Sequence, residues 1–130
     1  MTVGLSSTVA NAVLNALCQS TTWTEPAAVW IKLHVGDPGS AGTANPATET
    51  TRKQATFGTV ASGGAISNTV ALDWTTVAGT EDYTHYSAHD ASTSGNFLWS
   101  DDMTANAVTA GDNFSIPVGE LDVTLAPVAA

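Results

Sequence analysis

Residues 27–35 constrain this chain more than any other stretch. Val29, Ile31, Leu33 and Val35 point one way, and Trp30, Lys32 and His34 the other. A period of two built from β-branched and apolar residues is what a strand with one buried face requires. Gly36-Asp37-Pro38-Gly39 then stops the strand, because proline has no N–H for a ladder and Asp-Pro-Gly is strong turn chemistry. Whatever the chain folds into must accommodate that strand.

Downstream, short alternating runs recur between turns. Gln54, Thr56 and Gly58 alternate with Ala55, Phe57 and Thr59 up to Ala61-Ser62-Gly63-Gly64. Residues 65–74 carry Ile66, Val70, Leu72 and Trp74, and read as two short strands or one strand bulged at Ser67-Asn68. Further strands are expected at 83–90, 97–100, 106–109, 114–116 and 121–125, with turns at 79–82, 92–96 and Gly111-Asp112. Such spacing predicts a mainly all-β fold, an antiparallel β-sandwich or jelly-roll-like domain.

Upstream lies the one convincing helix. Leu5, Val9, Ala12, Val13, Ala16 and Leu17 recur at three- and four-residue spacing, Ser6 or Ser7 can cap the start, and Ser20-Thr21-Thr22 lets it end. A helix this short holds only when docked on the sheet or on a neighbouring subunit. We expect an N-terminal helical arm over residues 1–21 and a β-sandwich over 22–130, in one domain. Cys18 sits on the apolar side of the helix and reads as a buried, inert thiol.

Charge narrows the partners. Twelve acids against Lys32, Arg52 and Lys53 give a net charge of −9, and no basic cluster exists to grip phosphates. Nucleic acid and anionic membranes are therefore poor partners. The N-terminus lacks a basic leader region, and no window reaches the roughly 18 continuous apolar residues of a membrane span. Only 12% of residues are charged, while Ala, Thr, Ser and Gly abound. Such faces suit close packing against other protein copies.

Motifs for catalysis or metal binding are weak. His85 and His89 have helical metal-pair spacing, but on a strand four residues span about 13 Å, too far for one ion. They read as partly exposed sheet-face histidines. Asp101-Asp102 lacks the loop of a calcium site. There is no Gly-x-Ser-x-Gly elbow, and Gly63-Gly64 is followed by neither lysine nor helix start. We expect no enzyme, no cofactor and no metal.

The polar stretch 39–51 is the better candidate. A loop that long inside a small domain is usually functional, and here the expected use is contact with a partner. The residues singled out are Asp37, Pro38, Thr43, Asn45, Pro46 and Glu49, together with Trp23 and Trp30. Trp30 stands opposite the apolar face of its strand, so either both faces are covered or Trp30 meets a partner. Trp23 is the aromatic anchor candidate, with a local cap over the sheet end as the alternative. Trp74 and Trp99 read as core or inter-sheet residues.

Four segments carry a resemblance: WIKLHVGDPGSAG (30–42), RKQATFGTVASGGAISN (52–68), HDASTSGNFLWSDDM (89–103) and VTAGDNFSIPVGELDVTL (108–125). In these the chain resembles small virion structural proteins of tailed phages, especially of actinobacteria, described as tail-fibre-like or head-decoration proteins. The resemblance implies a β-sandwich assembled in many copies in the virion after synthesis in the host cytoplasm, without catalysis. One expectation is a capsid decoration or minor capsid protein, a homo-oligomer, namely a trimer, that binds the major capsid protein on the outer head and reinforces the shell. The other is a tail or tail-fibre adaptor contacting tail proteins. A host-carbohydrate-binding module is a third reading, since Trp and Tyr beside Asp and Asn suit sugar recognition.

Overall fold

The alternating strand forms where expected and takes an interior place in a sheet. The computed structural model describes residues 3–58 and 62–125; the expectations for Thr59 and Ala61 lie outside the described residues. In chain order the elements are β1 (Gly4–Leu5), α1 (Ser7–Gln19), β2 (Val29–His34), β3 (Lys53–Ala55), β4 (Ala65–Ser67), β5 (Leu72–Trp74), β6 (Glu81–His89), β7 (Phe97–Val108), β8 (Phe114–Ile116) and β9 (Asp122–Thr124). The fold is mainly antiparallel β with one short N-terminal helix.

A five-stranded sheet has the order β1-β7-β6-β2-β3, and β4-β9 and β5-β8 form separate two-stranded ribbons. Ile31 and Leu33 of β2 are fully buried, as the alternation predicts. They join Ala55, Leu72, Trp74, Tyr83, Tyr86, Ala88, Phe114, Ile116 and Leu121 in a single core. The β5-β8 ribbon supplies the second layer: the Phe114 ring lies 5.8 Å from Trp74 and 5.0 Å, edge-on, from Tyr83 of the sheet. Edge-on pairs of this kind add about 1 kcal/mol beyond the area they bury.

Residues 65–74 resolve into two strands because Asn68 breaks the run. Its buried amide Nδ2 donates to the carbonyls of Val70 and Pro117, and its Oδ1 accepts from the N–H groups of Gly119 and Leu121. One side chain thus satisfies four backbone groups that have left the ladders. The β6-β7 pair differs from expectation. β6 begins at Glu81 rather than Tyr83, and β7 runs unbroken for 12 residues. Its register shifts between Tyr83 and His85, where two steps along β6 face four along β7, from Asn106 to Asp102. That irregularity re-aims the chain. Tyr83 and Tyr86, which strict alternation puts on opposite faces, are both buried.

The helix starts as expected. Ser6 is the N-cap, its Oγ accepting from the Val9 N–H at 3.1 Å, and Ser20 closes the other end in the left-handed conformation at φ 53°. Its docking is shallower than the apolar spacing suggests. No helix residue is buried; Val9 packs against the core, whereas Leu14 and Leu17 remain 56% and 79% exposed. Cys18 is exposed as well, which corrects the buried-thiol expectation. It points to the side of the helix that the sheet leaves uncovered.

Candidate interaction surface

Loop 36–51 is a folded cap on the sheet. Val35 N–H donates to Asn45 O at 3.0 Å, Ala44 N–H to Pro38 O at 2.9 Å, and Ala47 N–H to Leu33 O at 3.1 Å. Asp37 holds the turn: its Oδ1 accepts from Gly39 N–H at 2.8 Å, and its carbonyl accepts from Asn45 Nδ2 at 2.9 Å. Further along, the Glu81 carboxylate accepts from Thr48 N–H at 2.8 and 3.0 Å and from Thr48 Oγ1 at 3.1 Å. Glu49 Oε1 accepts from Thr51 N–H, and Thr51 O accepts from Trp74 Nε1 at 2.7 Å. Gly42 is required at its position, since φ is +68° and a Cβ would collide with the Phe97 ring. With these backbone groups paired, the loop is pre-organised.

The cap reaches both faces of the sheet: Ala47 joins the apolar core, whereas the part around Ala44 covers the opposite face, where a buried polar chain lies. His34 is fully buried. Its Nδ1 is 2.8 Å from Ala44 O; a carbonyl only accepts, so that nitrogen carries the proton. His34 Nε2 must then accept from Ser87 Oγ at 2.8 Å, and Ser87 in turn must accept from His89 Nε2–H at 2.9 Å. His89 Nδ1 is left as a lone pair, buried with no hydrogen-bond partner. Burial pushes the His34 pKa down. Burial first, then the charges of Arg52 and Lys32, push His89 down to about 4. Both rings are therefore neutral near neutrality, and their role is to seat the cap on β2 and β6.

His89 is 3% exposed, a correction to its reading as a partly exposed sheet-face residue; His85 is half-buried, as expected. Among the described residues no group of three or more His, Cys, Asp or Glu side chains could hold a metal ion. The sequence singles out all three histidines but not their coupling, because His34 and Ser87 are 53 residues apart and meet only through the β2-β6 register.

The candidate contact residues divide. Thr43, Asn45 and Pro46 are exposed on the cap, beside Ser40, Ala41 and Ala44, and form a small, uncharged ridge. Pro38 and Glu49 are buried, so their side chains hold the cap and offer no surface to a partner in this chain. Asp37 is half-buried and keeps the turn. Trp30 is half-buried and pairs across the ladder with His89, so part of its ring stays accessible. Trp23 lies apart from the cap, between α1 and β2, and is 40% exposed.

A concavity of about 440 Å³ opens between β7 and β8, with Tyr86, Phe114 and Leu121 among its lining and Asp101, Asp102, Glu120 and Asp122 around them. Tyr86 and Phe114 keep only 4% and 6% of their surface exposed, too little for a sugar ring to stack on. The sequence marks Asp101-Asp102 but not this groove, which three distant segments build. No helix among the described residues is long and apolar enough to cross a membrane.

Comparison with known proteins adds a family. The family described as Podophage GP4 fiber I protein gp80 matches residues 4–124, nearly the full chain. No curated protein matches. Of the two expectations drawn from the resemblance, the match favours the tail or tail-fibre component over capsid decoration, and it names podophages but no host group.

Proposed function

The chain belongs to this podophage fibre protein family, and from that premise we propose that it is a non-catalytic tail-fibre subunit acting as an adaptor. The single observation that carries the adaptor role is the rigid cap of residues 36–51. It presents Thr43, Asn45 and Pro46 without a charged side chain, on a framework already ordered before any partner arrives. Pre-organisation lowers the entropy lost on binding, and an uncharged ridge lets a body of net charge −9 approach another virion protein without ion pairing. The domain has no heptads or fibrous repeats, so it joins parts rather than forming a shaft. Its partners in this reading are neighbouring tail proteins and further copies of itself.

The test is quantitative mass spectrometry of purified virions with heads and tails separated. Copies that follow the tail fraction in proportion to other tail proteins support the adaptor. Head-wide abundance would restore the decoration reading, and absence from virions would remove both. Substituting Ser40→Lys and Thr43→Lys, both exposed on the cap, should lower incorporation while leaving the circular dichroism spectrum unchanged.

A further inference from the structure

We propose that the outer face of α1 is a self-association surface, on which Leu14, Leu17 and Cys18 pack against the same stripe of a second copy of this chain. This deepens the assembly reading above and rests on it for its biological setting.

The helix is apolar on two sides. Val9, Ala12 and Val13 are half-buried toward the body. Leu14, Leu17 and Cys18, spaced i, i+3 and i+4, share another face, where the two leucines are 56% and 79% exposed and the cysteine is exposed. The polar residues Thr8, Asn11, Asn15 and Gln19 are confined to a third side, so this second apolar stripe is one for other protein to cover. Exposed leucines scattered singly need no explanation. Here two occupy one face of a helix in which no residue is buried, and Leu5 and Trp23, at 41% and 40% exposed, flank it in sequence.

Charge identifies the occupant. Residues 1–24 contain no acidic, basic or histidine side chain; all twelve acids and all three bases come later. Two copies carry −9 each, so contact through an acid-bearing face sets like charges within a Debye length of about 8 Å. The N-terminal segment is where a copy of the same chain can approach with least repulsion. A basic partner would gain nothing from it, since it offers no carboxylate. A helix of 13 residues is about 20 Å long, which makes a contact below standard interface size, in the range of weak and reversible association.

The experiment measures the mass of the full chain by light scattering across the micromolar range, together with the rate of maleimide labelling at Cys18, the only cysteine. The expected result is a mass that rises with concentration to two or more copies, with Cys18 labelling slowed several-fold in step. Added salt should strengthen the association, because the opposing force is repulsion between acidic bodies. The Leu14→Glu, Leu17→Glu double variant should lose the assembled species and keep its far-UV spectrum, both side chains being exposed. A wild type that stays one copy throughout, a double variant that still assembles, a thiol equally reactive in both states, or association weakened by salt would each overturn the proposal. None of these outcomes bears on where the protein sits in the virion, which the fractionation above decides separately.

Discussion

Acid should destabilise this protein through His89. In the folded chain its imidazole is held neutral, with a pKa of about 4 against the ordinary 6.5, mainly by burial and then by the positive charges of Arg52 and Lys32. An unfolded chain binds the proton that the folded chain refuses, so between these two values the unfolded state carries more protons. Stability from this group is therefore fully present above about pH 6.5 and is lost as pH falls toward 4. Integrating the difference gives a loss of about 2 kcal/mol between about pH 7 and pH 5, and about 3 kcal/mol by about pH 4. His34, also pushed down by burial, adds to the loss in the same direction. Structure supplies a reason for the asymmetry: a proton on His89 Nδ1 would point into a site with no acceptor. The assay is urea denaturation followed by tryptophan fluorescence at a series of pH values, read as the change in midpoint at constant m. A midpoint that stays flat from pH 7 to 5, or an imidazole of His89 that titrates near 6.5 by NMR, refutes the reasoning.

Three substitutions probe the parts separately. Ser87→Ala removes the hydroxyl between two buried imidazoles and leaves the Nε2 of each without its partner, at a cost of about 2 kcal/mol in the same denaturation assay. Asn68→Ala abandons the Val70 and Pro117 carbonyls and the Leu121 N–H where β4 ends and the segment before β9 returns, while Gly119 N–H keeps the carbonyl of residue 68; it should cost about 3 kcal/mol, seen as a lower Tm by calorimetry. Gly42→Ala forces a Cβ toward the Phe97 ring at a positive φ; a loss of about 2 kcal/mol is expected, with faster hydrogen exchange at Val35 and Ala47, whose N–H groups tie the cap down.

The fold was legible where local rules and tertiary packing agree. Ile31 and Leu33 follow the period of two into the core, and Ser6 caps the helix because its short side chain reaches the third N–H onward. Legibility ended where contacts cross long stretches of chain. His89 looks like a sheet-surface residue from its neighbours alone; it is buried beside the Phe97 ring, against which Gly42 of the distant cap closes. Polarity misled at Pro38 and Glu49 for the same reason, since a polar loop need not expose each of its side chains. Cys18 erred in the other direction: apolar spacing shows that a helix has a face to cover, but not which protein covers it. Tyr83 and Tyr86 depend on a register shift that neither strand announces in its own sequence.

The attachment of α1 also has a dynamic consequence. The helix is moored through β1, a two-residue ladder matching Gly4 to Ser100 and Leu5 to Trp99, and through Ser6 N–H donating to Leu98 O at 2.8 Å. A clip this short opens at far lower free energy than the β6-β7 pair, so the N-terminal segment forms its own cooperative unit of local unfolding. Its amide protons should exchange with solvent while those of Ile31 and Leu33 remain locked. Proteases should nick the exposed stretch 20–25 without unfolding the body. Covering that segment from outside would slow its exchange first, and α1 would report the arrival of a neighbour before the sheet registers any change.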